Sequence, residues 1–221
     1  MIDVAEEVAR AVVAAGFAVA LAVSGVVTAR ARGRSRARAS GLARRVGARI
    51  AWALSAVPYA VVCVVLWRPL PVHPSVAARA VALCAGTCLI AAGWSLYTWG
   101  RSALGDMYNV SGALGSELYA GHRLVASGPY RVVRHPMYVG IALGALGALL
   151  LYRTWAMVFA VVVLPAAVVK IRREERLLAE EFPQEHAAYR ARVPAVVPRV
   201  GRRVEEVTAR ARGSREKGRP S

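Results

Sequence analysis

Two groups of side chains in this 221-residue chain have the types and spacing to do chemistry. The first lies in a polar stretch and comprises His122, Arg123, Tyr130, Arg134, His135 and Tyr138. The second follows a long apolar run and comprises Lys170, Glu174 and Glu175. Arg134 and Lys170 can grip a carboxylate or phosphate. Glu174 can accept hydrogen bonds from an amine or from ribose hydroxyls, and Tyr130 and Tyr138 can face a cation or a planar base. Lys170 and Glu174 share a helical face at i, i+4. Cation, carboxylate, ribose and adenine together describe S-adenosylmethionine well, but not uniquely. A structural ion-pair network at a helix end would use the same residues, so composition alone leaves both readings open.

Other chemistries find little support. No GxGxxG follows a strand pattern, and no GxxxxGK[ST], GxSxG or HExxH is present. The four histidines, at 73, 122, 135 and 186, are scattered, which argues against a zinc centre, so no metal is expected. Cys63, Cys84 and Cys88 all fall in apolar runs and read as filler rather than as a disulfide framework.

The elements that must position these groups are membrane-length. The chain is 57% hydrophobic yet carries a formal charge of +17, with a mean hydropathy of +0.41. Apolar runs separated by basic clusters produce that combination. Residues 8–29, 50–67 and 76–99 read as three spans, the second kinked by Pro58. Residues 137–169 hold a single charge, Arg153, and are too long for one helix, so Arg153-Thr154 is expected to divide them into a hairpin of two spans. Gly140 and Gly144 form a small-xxx-small pattern, with Gly147 following, that permits close helix approach.

The fold class is therefore all-α, an integral membrane protein of about five transmembrane helices. Residues 1–99 form an N-terminal three-helix part, 100–198 the candidate catalytic region, and 199–221 a basic, disordered tail. The loop over residues 30–49 is Arg-rich; eight arginines and no acid occur over 29–49. It reads as a cytoplasmic topology signal that also attracts anionic lipid headgroups, not as a nucleic-acid site. The acidic residues Asp3, Glu6 and Glu7 then face outside. The 100–136 loop and the polar helix after Val169, broken at Pro183, share the cytoplasmic side. The start of the fourth span and the end of the fifth are neighbours in such a hairpin, bringing Arg134-His135 towards Glu174. Charges so near an apolar zone are functional candidates by default.

Over roughly residues 94–198 the chain resembles the isoprenylcysteine carboxyl methyltransferase family and its relatives among the phospholipid N-methyltransferases. The resemblance rests on His122-Arg123-Leu124-Val125, Gly128-Pro129-Tyr130 and Arg134-His135-Pro136-Met137-Tyr138-Val139-Gly140. It continues with Glu174-Glu175 before Leu178, then Phe182 through Tyr189 to Arg192-Val193-Pro194. It implies a cytoplasmic pocket for S-adenosyl-L-methionine, closed by the C-terminal region, and a lipophilic small-molecule or lipid substrate. The implied cofactor contacts are His122, Arg123, Leu124, Val125, Tyr130, His135, Pro136, Met137, Tyr138 and Glu174. Arg134, Lys170 and Glu174 are the implied catalytic residues, with Arg134 and Lys170 towards the acceptor. Lys170 departs from the family's Arg, with Arg172 and Arg173 nearby. Pro183 departs from its Gly and His186 from its Tyr.

The expected activity is methyl transfer to a lipophilic acceptor, with carboxyl O-methylation first and a thiol or amine behind it. The rivals are a non-enzymatic lipid-binding membrane protein and a membrane reductase using NADPH. The topology has a direct test: a reporter fused after residue 200 should be active in the cytoplasm, and activity only outside would sink the five-span arrangement.

Overall fold

Glycines seven residues apart bring two helices together. A computed structural model describes residues 1–30, 48–107 and 123–198. The centre of most of the Arg-rich loop, the basic tail and His122 lie outside them. The helices are α1 (Ile2–Arg30), α2 (Ala48–Val65), α3 (Val76–Leu104), α4 (Pro136–Tyr152), α5 (Trp155–Val162), α6 (Ala167–Glu181) and α7 (Pro183–Arg192). No strand occurs among the described residues, only an isolated bridge between Pro69 and Thr154.

α3 and α4 run antiparallel along the glycine seam. A β-carbon on Gly86 would stand 2.9 Å from the Gly147 carbonyl oxygen, and one on Gly93 would stand 2.5 Å from that of Gly140. Gly100, one heptad further, receives Pro136 and Met137. Every seventh residue of an α-helix returns to nearly the same face, so Gly86, Gly93 and Gly100 make one flat stripe. Of the expected pair, Gly140 has a β-carbon position that α3 fills, as does Gly147; Gly144 brings its main chain against Gly93, while a β-carbon on Gly144 itself would meet nothing.

Arg153, in the left-handed conformation at φ 50°, ends α4, and its N–H returns to the Leu149 carbonyl. α5 starts two residues later. The Leu66–Leu70 turn clasps this corner: the Leu70 N–H donates to the Arg153 carbonyl (2.8 Å) and the Trp155 N–H to that of Arg68 (3.0 Å). Tyr59 of α2 and Phe159 of α5 bring their rings to 5.7 Å. After α5 a 3-10 turn, Leu164–Ala166, leads into α6. Pro183, lacking an N–H to continue α6, instead opens α7.

Among the described residues two helical stretches are long and apolar enough to cross a membrane, Val76–Leu104 and Trp155–Glu181; α4 is apolar but has 17 residues. Only 17% and 6% of the most apolar parts of those two stretches are buried. Val81, Ile141, Leu146, Val162 and Val169 stand exposed. So much outward apolar surface calls for a hydrocarbon environment rather than water.

At the far end of α4 a second polar knot closes the bundle. The Glu6 carboxylate, 3% exposed, accepts from Arg153 (2.9 Å), Arg79 (2.9 Å) and Arg10 (3.3 Å). Arg79 also pairs with Asp3. Arg10 donates to the Leu151 carbonyl and Tyr152 Oη to the Arg10 carbonyl. α1 is thus pinned to the start of α3 and the end of α4. Charges in α1, α3 and the α4–α5 corner, far apart in sequence, share one end of the molecule.

The seam makes a paired prediction. Gly140→Ala pushes a methyl group to 2.6 Å from the Gly93 carbonyl, so it should destabilise the protein by roughly 1–3 kcal/mol. Gly144→Ala has free space and a better helix former, so thermal unfolding in detergent should leave it at or above wild type. Equal losses in both variants would refute the seam.

Candidate functional site

The site forms where the Gly128–Tyr138 stretch meets α6 and α7. Gly128 takes a positive φ of 58°, and a β-carbon there would stand 3.3 Å from both Ala103 and Trp99, a crowded left-handed position that suits glycine. Pro129 opens the 3-10 turn Gly128–Arg131, burying itself and Tyr130. His135 precedes a proline and so stays out of the helical region, at φ −124° and ψ 57°. Pro136 then starts α4 at the first helical position. Arg134 and His135 are thereby presented at the α4 N-terminus, facing the middle of α6.

Glu175 is the centre. Arg134 holds its carboxylate with two hydrogen bonds, Nε to Oε1 at 2.9 Å and Nη2 to Oε2 at 3.2 Å. The His135 Nε2 lies 2.8 Å from the same Oε1. Arg134 and Glu175 side chains are 9% and 15% exposed, so this forked pair works in a largely dry setting, where bidentate geometry counts most. The remaining Arg134 nitrogen donates to the carbonyls of Val193 (2.7 Å) and Arg190 (3.2 Å). The main chain adds Arg134 N–H to Pro194 O and His135 N–H to Ala195 O, at 2.9 and 3.0 Å. Tyr189 Oη donates to the Tyr130 carbonyl at 2.7 Å. The segment after α7 is therefore strapped across the Arg-His-Pro corner.

A second, more open group lies beside it. Tyr138 Oη donates to Glu174 Oε1 at 2.8 Å. Lys170 Nζ stands 5.4 Å from the centre of the Tyr138 ring, within cation–π range. His135 joins the two groups: its Nδ1 is 4.0 Å from Glu174 Oε2, and its ring meets Tyr138 edge-on at 5.9 Å.

The candidates read from sequence are thus divided. Leu124, Val125, Tyr130, Arg134 and His135 line a cavity of about 70 Å³ with Leu104, Glu175, Leu178, His186 and Tyr189. Lys170, Glu174 and Tyr138 form the open group. Pro136 and Met137 pack on Gly100 of α3. Arg123, Arg172 and Arg173 are exposed. Glu174 is near Arg134-His135, as the hairpin geometry requires, but Glu175 makes the contacts to both.

Sequence reasoning assigned no role to Glu175, His186 or Tyr189. Their spacing held a signal: His186 and Tyr189 are i, i+3 on α7 and so share a face with each other. His186 is 3% exposed, and its Nε2 has no hydrogen-bond partner; the nearest Glu175 oxygen is 3.6 Å away. A buried polar atom left unpaired costs about 1–3 kcal/mol. Burial holds this imidazole below its ordinary value of 6.5; the Arg134, Arg190 and His135 groups act in the same direction and Glu175 opposes them. Burial likewise pushes the Tyr189 phenol up to about 12, keeping it a hydrogen-bond donor.

An all-α chain with a titratable cluster at a helix end, closed by its own C-terminal strap, is the class that fold and site define. Residues 81–185 match the family model described as Phospholipid methyltransferase. Over 107 residues the chain is 42% identical to the cobalt-zinc-cadmium resistance protein CzcN of Cupriavidus metallidurans, covering 44% of this chain and 47% of that protein. Over 79 residues it is 37% identical to protein-S-isoprenylcysteine O-methyltransferase B of Arabidopsis thaliana, covering 35% of this chain and 40% of the relative. It is 35% identical to protein-S-isoprenylcysteine O-methyltransferase of Schizosaccharomyces pombe over 79 residues, 35% of this chain and 34% of that one. These matches support the resemblance to the isoprenylcysteine methyltransferase family. The chain spans about a third to a half of the length of these curated relatives. Among the described residues no group of three His, Cys, Asp or Glu gathers to hold a metal ion.

The lowered His186 value fixes a sign. Below 6.5 the unfolded chain binds a proton that the folded ring resists, so stability is intact above that pH and declines as pH falls through the window beneath it. Thermal unfolding should therefore lose stability between about pH 7 and 5.5, and His186→Gln should remove that part of the slope. A slope unchanged in the variant would reject the assignment.

Proposed function

We propose that this chain is an integral-membrane methyltransferase that uses S-adenosyl-L-methionine to methylate a lipophilic acceptor. The observation that carries the reading is the cavity at the Arg-His-Pro corner. Four residues that the resemblance assigns to the cofactor, Leu124, Val125, Tyr130 and His135, line it together. The residues fit such a ligand: apolar walls, two tyrosines, a neutralised Arg134–Glu175 pair and one buried polar atom, His186 Nε2, without a partner. At about 70 Å³ the cavity takes part of a ligand of that size; sites that enclose whole ligands run to several hundred Å³.

The cofactor supplies a methyl group already activated on a sulfonium sulfur. The protein's work is then positioning and the exclusion of water. Leu124, Val125, Tyr130 and His135 would hold the donor. Glu174, with Tyr138, offers the open acceptor for hydroxyl or amine groups, and Lys170, over the Tyr138 ring, is the cation towards the substrate. Arg134 keeps the corner and strap in place, since its nitrogens are engaged by Glu175, Val193 and Arg190. A carboxylate acceptor needs no base and can be oriented by Lys170; a thiol or amine must lose a proton, which a carboxylate or histidine can take. The names of the two plant and yeast relatives favour a carboxyl acceptor.

The five-span arrangement belongs to the same proposal. Glu6, Arg79 and Arg153 meet at one end of α4 and the candidate site lies at the other, about 25 Å away along a 17-residue helix. That separation supports a site on the cytoplasmic face and a knot on the outer face.

Titration of the purified protein in detergent tests the reading. S-adenosylmethionine and S-adenosylhomocysteine should each raise the unfolding temperature, NADPH should not, and methyl-labelled donor with a lipid extract should yield a labelled lipophilic product. Stabilisation by NADPH alone would overturn it in favour of a reductase.

A further inference from the structure

The one buried polar atom of the cavity that lacks a partner sits on a residue to which neither the resemblance nor the geometry of the ion pair gives a task. Glu175 does not need His186: Arg134 and His135 already engage both of its oxygens, and the His186 Nε2 stops 3.6 Å short, beyond a hydrogen bond. The helix that carries the ring is held in place: the His186 backbone N–H donates to the Phe182 carbonyl at 2.8 Å, and one turn on, Tyr189 is fastened to Tyr130 at 2.7 Å. The strap over Val193–Ala195 covers the same corner. A leucine or phenylalanine would fill the space at no polar cost, yet an imidazole lines the cavity there, its Nε2 buried without a hydrogen-bond partner.

We propose that His186 contacts the methyl donor directly, its Nε2 hydrogen-bonding a polar atom of the part of that ligand that enters the cavity. This rests on the methyltransferase reading and adds a binding residue to it. Leu124, Val125, Tyr130 and His135 share the cavity with His186, so a ligand held by them completes the bond that the protein leaves open. Burial favours the uncharged ring at neutral pH; the contact therefore selects by hydrogen bonding and not by charge.

Calorimetric titration of the full chain in detergent with S-adenosylhomocysteine tests it on wild type and three variants. His186→Phe keeps the ring and removes the nitrogen. It should weaken binding roughly ten-fold while the ligand-free protein unfolds at or above the wild-type temperature, because an orphaned polar group is gone. His186→Gln places an amide near the Nε2 position and should keep most of the affinity. His186→Asn reaches only the Nδ1 position and should bind as weakly as the Phe variant. Wild-type affinity in His186→Phe overturns the proposal, as do equal affinities in the Gln and Asn variants, a comparison that stands even if the Phe variant does not fold. Failure of the wild-type chain to bind S-adenosylhomocysteine is a different outcome and overturns the methyltransferase reading on which this one depends.

Discussion

The forked pair between Arg134 and Glu175 is the interaction on which the site depends. One guanidinium engages a carboxylate on α6 and two carbonyls at the end of α7. Three parts of the chain converge on it: the turn before α4, the helix after the apolar hairpin, and the strap that follows. A guanidinium offers five N–H donors in a fixed plane, so it can satisfy a carboxylate on one edge and carbonyls on another. Lysine could not do both. The pair is little exposed, and a buried ion whose partner is removed is far more costly than a pair left whole. Arg134 is thus better understood as the peg of the corner than as a hand reaching for substrate.

The corner can be presented only because α3 and α4 lie so close. With glycine at 86, 93, 140 and 147 the backbones of the two helices touch, and dispersion between packed backbones replaces the hydrophobic drive that a lipid-like surrounding removes. α4 then acts as a short rod with a polar assembly at either end. At its C-terminal end Glu6 gathers arginines from α1, α3 and the α4–α5 corner. At its N-terminal end Glu175 gathers Arg134 and His135. Both use one buried carboxylate to join segments distant in sequence, while the apolar flanks between them stay exposed. The open Tyr138–Glu174–Lys170 group rests on the second assembly through His135.

Much of this was legible in the residues. Gly128-Pro129 announces a turn and His135-Pro136 a helix start, through glycine's freedom and proline's fixed φ, and the structure has a 3-10 turn at the first and the N-terminus of α4 at the second. The lone Arg153 in a long apolar run marks the corner between α4 and α5. The full length of the glycine seam could have been found by looking for intervals of seven; the shorter interval between Gly140 and Gly144 marks only the part of it that meets Gly93. Glu174 and Glu175 could not be told apart, because adjacent residues on a helix point about 100° apart and the face that meets Arg134 depends on how α6 is rotated.

What the sequence determined by itself is local or patterned: helices from continuous apolar runs, breaks from proline, glycine and isolated charge, and a set of residue types suited to a methyl donor. The tertiary structure alone decided which of those residues meet. It set Glu175 rather than Glu174 against Arg134, joined Glu6 to Arg10, Arg79 and Arg153, and turned the His186 nitrogen inward without a partner. Hydrogen bonds and ion pairs act over about 3 Å and fail beyond it. A helix rotated by one residue would exchange every one of these partners while leaving the sequence pattern unchanged.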